Sequence, residues 1–370
     1  MIILEVAFYV FIVAVGIQVL FYGIIFNSFI NYKATKPKPK NVSVSVIICA
    51  KNEAKNLTKF LPSILTQDYP SFEVILINDN STDDTLDVME DFKLKHDNIK
   101  IVNVKPIEKF WGNKKYALTL GIKASTNDFL LFTDADCKPL SKHWIRDMSA
   151  HFSNKKTIVL GYGTYQKIKG SFINKLIRYE TFLTAIQYLS YAKLGQPYMA
   201  VGRNLAYRKE QFFEANGFMQ HMHIKSGDDD LFINQVANAT NTTICLTNES
   251  FTESVPKQTL KGWMLQKRRH ISTANHYKPK HKFFLATFYC SQLLFWTLAI
   301  TLMTLMFNWK IVLGLIILRF LVQLTNLYLA SKKLNEKDLP FLSPFLEIFL
   351  IAFQFFIFIK NLISKPKHWK

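Results

Sequence analysis

Long apolar runs alternate along the chain with shorter ones that recur at regular intervals. From Ile2 to Ile30 the only charged residue is Glu5, and this run exceeds the roughly 20 residues that a helix needs to cross a bilayer. Four lysines lie between positions 33 and 40 and none precedes the run, which is the reverse of a secretory signal. We therefore expect an uncleaved N-terminal anchor, residues 1–32, that leaves the following residues in the cytoplasm.

Two further apolar runs, Phe283–Phe307 and Ile311–Ala330, are separated only by Asn308-Trp309-Lys310. Each run is long enough to cross a bilayer, and the short turn makes them neighbours. We therefore expect a transmembrane hairpin over residues 283–331, with its turn on the side opposite to the N-terminal lysines.

The last apolar run, Phe341–Ile359, contains a proline and a carboxylate, Pro344 and Glu347. If the corresponding segment, residues 340–362, spans the bilayer, the basic tail 363–370 lies outside, against the positive-inside tendency. A re-entrant or interfacial segment keeps the tail in the cytoplasm. The sequence leaves both courses open, and we favour the second.

Between the anchor and the hairpin, strand-like and helix-like patterns alternate. Short apolar runs predict buried strands, and apolar residues at helical spacing behind capping residues predict helices. The alternation predicts an α/β domain, residues 41–255, with a mainly parallel sheet and with ligands beyond the carboxyl ends of the strands. The predicted strands cover 42–49, 72–77, 99–104 and a run that ends at Asp134. One predicted helix follows Asn56, and two others cover 81–94 and 114–124.

Two other helical segments have amphipathic character. Phe172–Leu194 carries apolar and aromatic residues at helical spacing, and periodicity alone cannot separate a helix that packs on the sheet from one that lies on a membrane. Residues 256–282 place Trp263 and Leu265 among many lysines, arginines and histidines. This composition predicts a basic interfacial helix.

Carboxylates stand where predicted strands end. Asp79 follows one apolar run, Asp134 and Asp136 follow another, and a triplet, Asp228-Asp229-Asp230, comes later in the chain. An Asp-x-Asp pair at the point where a strand leaves its sheet can hold a divalent cation against a diphosphate. Hard oxygen ligands suit Mg²⁺ or Mn²⁺. The pattern is typical of an enzyme that uses a nucleotide-sugar.

The order of these motifs resembles that of membrane-bound family 2 glycosyltransferases with a GT-A fold, the group that includes cellulose, chitin and hyaluronan synthases and ceramide glucosyltransferase. The resemblance covers about residues 43–275 and the flanking helices. Any one motif is weak, but five in the same order are specific. The resemblance implies a GT-A catalytic domain between N-terminal and C-terminal transmembrane helices, and a nucleotide-diphospho-sugar donor, most readily a UDP-sugar.

Two loops are assigned to the nucleotide by this resemblance. Ala50, Asn52 and Glu53 match the Ala-x-Asn-Glu loop that meets the base, and Asp79 matches the aspartate that accepts hydrogen bonds from uracil or ribose. The family pattern has a glycine in the second turn. Here that glycine is absent and Asn80 follows the aspartate.

A lysine is assigned to substrate binding, and the Asp-x-Asp pair to the cation, by the same resemblance. Lys114 fits the spacing of a Gly-Lys-x-x-Ala-Leu segment, although one extra residue follows the glycine and Lys115 remains an alternative. By resemblance, Asp136 is the direct ligand of Mg²⁺ or Mn²⁺, and Asp134 lies against the ribose or completes the metal shell.

The acceptor side is assigned to the triplet and to a Gln-x-x-Arg-His sequence. Asp228 matches the general base of a Glu-Asp-x-Asp-Leu pattern, and Asp230 is the second catalytic aspartate of that pattern. A base is needed because a sugar hydroxyl is a poor nucleophile. Gln266 and Arg269 match a Gln-x-x-Arg-Trp motif whose arginine grips the diphosphate. His270 replaces the tryptophan, which makes processive polymerisation less certain.

The net charge of +19 raises the question of whether the protein binds nucleic acid. Lysines and arginines cluster beside apolar segments, where anionic lipid or a diphosphate is the nearer anion, and no nucleic-acid motif is present.

Taken together, the motifs and the apolar segments predict a membrane-bound inverting glycosyltransferase with a cytoplasmic catalytic domain and a growing polysaccharide or a lipid as acceptor. The alternatives are a polyprenyl-phosphate sugar synthase and a noncatalytic scaffold with a degenerate transferase domain. Oligomeric state is open.

Overall fold

The chain divides into two compact units. The computed structural model describes residues 1–33, 38–105 and 114–364. The sheet unit comprises Lys33–Lys169 and Gly195–Gln258. The helical unit comprises Met1–Tyr32, Gly170–Leu194 and Thr259–Pro366. Each unit is described separately below.

Short strands build two sheets in the sheet unit. The strands of the described residues are β1 Val44–Ala50, β2 Phe72–Asp79, β3 Ile99–Val104, β4 Phe129–Asp134, β5 Cys137–Pro139, β6 Ile158–Leu160, β7 Gly163–Tyr165, β8 Leu205–Arg208, β9 Thr242–Ile244 and β10 Thr252–Ser254.

Helices account for most of the remaining regular structure. Those of the described residues are α1 Ile2–Leu20, α2 Asn27–Ile30, α3 Ala54–Leu65, α4 Thr85–Lys93, α5 Lys114–Ala124, α6 Trp144–Ala150, α7 Phe172–Lys193, α8 Lys209–Glu214, α9 Asp230–Val236, α10 Leu260–Thr273, α11 Pro279–Thr304, α12 Trp309–Leu334 and α13 Ser343–Ile363, and a π-helical turn, Phe21–Ile25, joins the first two.

The larger sheet has seven strands in the order β3-β2-β1-β4-β8-β6-β9. The pairs β1–β2, β2–β3 and β1–β4 are parallel, and β8 runs antiparallel to both of its neighbours. A mainly parallel α/β sheet is therefore confirmed. β5, β10 and β7 form a second, three-stranded sheet.

The sheet core follows the predicted apolar pattern. Nearly every residue of β1 is buried, as expected for a central parallel strand that is covered on both faces. α3 buries the predicted face, Leu57, Phe60, Leu61 and Ile64. β3 and α5 have the predicted bounds.

One helix begins later than its capping residues predicted. The pattern favoured a helix from Ser81, but α4 begins at Thr85. The Asp83 carboxylate accepts hydrogen bonds from the amide of Thr85 at 3.2 Å and, across the loop, from the amide of Ala54 at 3.3 Å. The polar residues before α4 therefore connect two loops at the sheet edge instead of extending the helix.

Among the described residues, four helical segments of the helical unit are long and apolar enough to cross a membrane, namely Ile2–Ile30, Pro279–Thr304, Trp309–Leu334 and Pro340–Ile363. The first three coincide with the predicted anchor and hairpin. The fourth is one continuous helix after a short 3-10 turn. Apolar side chains of α1, α11 and α12 pack together in a cluster that includes Phe11, Phe295 and Val312.

Buried polar side chains connect these helices. Arg319 on α12 pairs with Glu347 on α13, and both side chains are almost fully buried. Gln292 of α11 donates to Glu347 at 3.0 Å, and Arg319 donates to Gln18 of α1 at 3.1 Å. Charged groups inside apolar bundles require such partners. This pairing explains how an apolar helix accommodates Glu347.

The amphipathic helix α7 belongs to the helical unit, so the predicted 41–255 domain is not a single compact stretch of chain. Arg178 on α7 donates to Glu336 at 3.0 Å and to Asp338 at 2.8 Å, in the connection between α12 and α13. Periodicity could not reveal these partners, because they lie about 160 residues away.

Candidate functional site

The predicted donor loops meet at the carboxyl edge of the larger sheet. Cys49 of β1 pairs in register with Ile77 of β2 and with Asp134 of β4. The loops that follow these three strands are therefore neighbours. Parallel strands with a shared carboxyl edge form the usual ligand crevice of such sheets.

The loop after β1 and the loop after β2 are hydrogen-bonded to each other. The Asn52 side chain accepts from the amide of Thr82 at 2.8 Å, the Asn52 amide donates to Ser81 at 3.0 Å, and the Glu53 amide donates to Thr85 at 2.8 Å. Ala50 is the buried last residue of β1. Of the predicted nucleotide residues, Ala50 therefore ends β1, and Asn52 and Glu53 lie in a loop that is hydrogen-bonded to the loop after β2.

The backbone conformation of Asn80 accounts for the absence of the glycine that the family pattern has in this turn. It has a φ of +50°, in the left-handed region that glycine adopts freely and that asparagine tolerates best among the other residues. The preceding residue, Asp79, lies at the tip of β2 and is buried. Burial raises the pKa of Asp79, and the charges of Lys51 and Lys114 partly offset that effect.

Lys114 joins two predicted carboxylates that are far apart in the sequence. Its ammonium nitrogen lies 2.9 Å from Asp134 Oδ1 and 2.9 Å from Asp228 Oδ2. Burial opposes its charge, but Asp134 and Asp228 outweigh that effect and raise the pKa of Lys114 well above its usual value. Lys114 therefore stays cationic and holds Asp134 and Asp228 at one point.

The Asp-x-Asp pair has the donor chemistry of a divalent-cation site. Ligand atoms of Asp134, Asp136 and Cys137 lie within 4.8 Å of one another. Burial, together with the charge of Asp134, raises the pKa of Asp136. A carboxylate whose charge is disfavoured by burial and by a neighbouring carboxylate would be relieved by a cation. The residues present therefore fit Mg²⁺ or Mn²⁺.

Cys137 was not singled out by sequence reasoning, because the cysteines lack a metal-binding spacing. Burial raises the pKa of its thiol well above the usual value. The sulfur lies 2.8 Å from Ser254 Oγ and donates to Asp136 at 3.4 Å. A thiol that stays protonated orients the neighbouring carboxylate and leaves the hard oxygen atoms as ligands. The position directly after the motif was its only sequence signal.

Asp228 begins the acidic triplet at the end of a tight turn. The preceding residue, Gly227, has a φ of +92°, and a Cβ atom there would lie 2.5 Å from Leu231. Only glycine fits this position without strain. Asp228 then lines a pocket together with Lys114, Asp134 and Asp229.

The other two aspartates are engaged by backbone amides. Asp229 accepts from the amide of Gly202 at 2.6 Å and from that of Asp230 at 2.7 Å. Burial and the charges of Asp228 and Asp230 raise the pKa of Asp229 to about 8, in line with the expected effect of neighbouring carboxylates. Asp230 is the buried first residue of α9 and accepts from the amide of Leu231 at 2.7 Å.

The structure distinguishes Lys114 from Lys115. Lys115 is buried, and its ammonium donates to the carbonyl oxygens of His221 at 2.8 Å and Ile224 at 3.1 Å. Burial lowers the pKa of Lys115 to about 8, although nearby aspartates oppose that shift. Lys114 therefore contacts the carboxylates, whereas Lys115 anchors the turn that leads to Asp228.

Replacing Lys115 by methionine is expected to lower the rate of any reaction that depends on Asp228 about tenfold, because a loosened turn misplaces Asp228 and about 1.4 kcal/mol corresponds to a factor of ten. Donor binding should change little. Lys123→Met, an exposed lysine on the same helix, is the matched control. Rates and donor affinities measured for both variants check this, and a Lys115→Met enzyme with the wild-type rate would contradict it.

Gln266, Arg269 and His270 lie on α10, in the helical unit. Gln266 and Arg269 are half-buried and His270 is exposed. The intervening residues have specific partners: Lys267 lies 2.6 Å from Glu180 on α7, and Arg268 is buried against the end of α13. Sequence patterns gave no sign of the partners of Lys267 and Arg268.

Known proteins resemble parts of this chain. Residues 45–214 match the family described as glycosyl transferase family 2. The glycosyltransferase AglE of Haloferax volcanii is 29% identical over 187 residues, which are 50% of this chain and 58% of that protein. A poly-β-1,6-N-acetyl-D-glucosamine synthase of Staphylococcus epidermidis is 34% identical over 93 residues, which are 25% of this chain and 21% of that protein. The chain thus spans less than two thirds of the length of either relative.

The fold has a solved counterpart. A mannosyltransferase from Pyrobaculum calidifontis, in complex with GDP-Man and Mn²⁺, aligns over 89% of this chain and 98% of its own, with a TM-score of 0.59 and 17% identity. At that identity the likeness concerns the fold alone, which is of the GT-A type.

Proposed function

We propose that this chain, whose residues 45–214 match glycosyl transferase family 2, is a membrane-anchored inverting glycosyltransferase that uses a nucleotide-diphospho-sugar, most readily a UDP-sugar. The observation that carries the proposal is the pair of 2.9 Å contacts through which Lys114 holds Asp134 and Asp228 together. It places a donor-side carboxylate and the proposed base at one point of the sheet edge.

The proposed donor site combines the two connected loops with Asp79. The loop that contains Asn52 and Glu53 surrounds the base, and the Asp79 carboxylate accepts hydrogen bonds from uracil or ribose. Asp79 directly precedes the left-handed turn at Asn80. The diphosphate then lies toward Lys114 and the Asp134–Asp136 pair.

Asp136 and Asp134 are the residues that would hold a divalent cation. Such a cation, when bound, offsets the negative charge that builds on the departing nucleotide. Lys114 contributes a fixed positive charge beside Asp134. Arg269 on α10 is assigned to the diphosphate by its motif, because a guanidinium binds phosphate oxygens bidentately.

The proposed base is Asp228. Its carboxylate takes the proton of the acceptor hydroxyl as the oxygen attacks the anomeric carbon from the face opposite to the diphosphate. One displacement of this kind inverts the anomeric configuration. Lys115 and Gly227 fix the turn that aims Asp228, and Asp229 fastens it to the amide of Gly202.

Incubating membranes that contain the protein with a panel of labelled nucleotide sugars tests this proposal. The panel includes UDP-glucose, UDP-N-acetylglucosamine and GDP-mannose. Products are sized and extracted into organic solvent, so that polymer, glycolipid and polyprenyl-phosphate sugar separate. Transfer from one donor supports the proposal, and no transfer from any donor, with the protein intact in the membrane, contradicts it.

The contacts of α13 favour a cytoplasmic C-terminal end. α10 lies between the sheet unit and the start of α11 in the chain, and Arg268 of α10 donates to Asn361 at 2.9 Å near the end of α13. α12 ends only eight residues before α13 begins. If α11 and α12 form a membrane-crossing hairpin, α13 starts and finishes on one side. We infer that this continuous helix is interfacial and does not cross the bilayer.

Single cysteines in a background without the native cysteines test this topology. A cysteine at Lys310, in the hairpin turn, should be labelled by an impermeant thiol reagent on intact cells, whereas cysteines at Lys95 and Lys367 should be labelled only after permeabilisation. Lys310 is preferable to Asn308, which has a φ of +47°. Labelling of Lys367→Cys on intact cells would mean that α13 spans, and labelling of Lys95→Cys would invert the whole arrangement.

A further inference from the structure

Arg268 and Asn361 form a reciprocal pair between α10 and α13. Arg268 Nε donates to Asn361 Oδ1 at 2.9 Å, and Asn361 Nδ2 donates to the Arg268 carbonyl at 3.1 Å. The same guanidinium donates to Ser364 Oγ at 2.9 Å and to the Lys360 carbonyl at 3.3 Å. Arg268 is only 7% exposed. Acceptors at the end of α13 therefore stabilise the guanidinium charge, which has little contact with solvent.

Two other contacts fix α10. The indole of Trp263, which is 1% exposed, stacks on Phe353 with a centroid distance of 4.2 Å and an interplanar angle of 10°. Lys267 lies 2.6 Å from Glu180, on α7. α10 is thereby held by α13 through Trp263 and Arg268, and by α7 through Lys267.

These contacts determine the rotation of α10 about its axis. Successive residues of an α-helix point about 100° apart, so Lys267, Arg268 and Arg269 point in three different directions. When Lys267 is fixed toward α7 and Arg268 toward α13, Arg269 is fixed in the remaining direction. Gln266 and His270 are fixed with it.

We propose that Arg268 and Asn361 are positioning residues for sugar transfer, which set the orientation of Arg269 by fastening α10 to the end of α13. This inference rests on the proposed function, in which Arg269 binds the donor diphosphate. It assigns a role in donor binding to a residue near the end of the described chain that lies in none of the recognised motifs.

A purely structural role is the competing explanation, because an arginine that donates to the carbonyl oxygens of a last turn also caps the helix. The two roles differ in what they change. Loss of a cap lowers stability and leaves the kinetics of the folded fraction intact. Loss of positioning raises the donor KM of folded enzyme, because Arg269 meets the diphosphate in fewer molecules.

The experiment compares Asn361→Ala, Asn361→Asp and Lys360→Ala in membranes, with the amount of folded protein measured for each. Asn361→Ala should raise the donor KM about tenfold, with a smaller effect on kcat. Asn361→Asp keeps an acceptor for Arg268 and should restore most of the affinity. Lys360→Ala is the matched control, because that residue takes part through its carbonyl, and it should resemble the wild type.

A double-mutant comparison completes the test. If Arg268 and Asn361 act as one pair, Arg268→Ala and Arg268→Ala/Asn361→Ala should raise the donor KM to similar extents. An unchanged KM in folded Asn361→Ala, while the wild type transfers sugar, would overturn the positioning role and leave the proposed function standing. A wild type without any transfer would overturn the proposed function and this inference with it.

Discussion

Replacing Asp228 by asparagine is expected to reduce sugar transfer by a factor on the order of 10² or more, because only proton removal from the acceptor is lost. The amide keeps the size of the side chain and an oxygen that can accept from Lys114. Binding of the nucleotide-sugar should therefore persist. Single-turnover transfer rates and equilibrium binding of the labelled donor, measured on the same preparation, check both halves of this prediction.

Asp229→Asn is the matched control, one residue further on. Burial and the charges of Asp228 and Asp230 raise the pKa of Asp229, so a neutral amide replaces a carboxyl group whose charge is disfavoured. Losing one acceptor for a backbone amide should cost about 1 kcal/mol of stability, and because Asp229 fastens the turn before α9 to Gly202, the rate should fall by about tenfold at most, well short of the loss in Asp228→Asn. An active Asp228→Asn together with an inactive Asp229→Asn or Asp230→Asn would move the base to another member of the triplet.

Asp136→Ala is expected to abolish activity at saturating Mg²⁺ or Mn²⁺, with a loss of about 10² or more, because the cation loses its direct carboxylate ligand. Wild-type activity should disappear in excess chelator and return when Mn²⁺ or Mg²⁺ is added back. Transfer assays across a metal titration measure both effects.

Cys137→Ser provides the control for this substitution. The hydroxyl replaces a thiol that donates to Asp136 and preserves a donor of similar size, so metal-dependent activity should persist. Full turnover of the wild type in excess chelator would exclude an essential cation. A Cys137→Ser enzyme as inactive as Asp136→Ala would show that the sulfur itself is required.

The sequence was most informative where local pattern decides structure. The apolar runs of β1 and β2 predict central parallel strands because such strands are buried on both faces, and the residues after them then have to meet at one edge. Asp79 and Asp134 could be placed there without coordinates. α5 could be bounded because its apolar residues recur at helical spacing.

Long-range contacts were beyond sequence reasoning. The salt bridge between Lys114 and Asp228 joins residues more than 100 positions apart, and lysine spacing does not reveal which carboxylate it will face. The pairing of Arg268 with Asn361 likewise depends on how α10 and α13 pack. A polar side chain in an apolar helix, such as Glu347, is ambiguous until its partner is known.

The anomeric configuration of the transferred sugar tests the central claim most directly, because a single displacement assisted by Asp228 inverts that centre. NMR of the product formed from an α-linked nucleotide-sugar gives the configuration without reference to any variant. We expect a β-linked product that appears together with the free nucleoside diphosphate. An α-linked product would mean that configuration is retained, and would contradict Asp228 as the base of a single displacement.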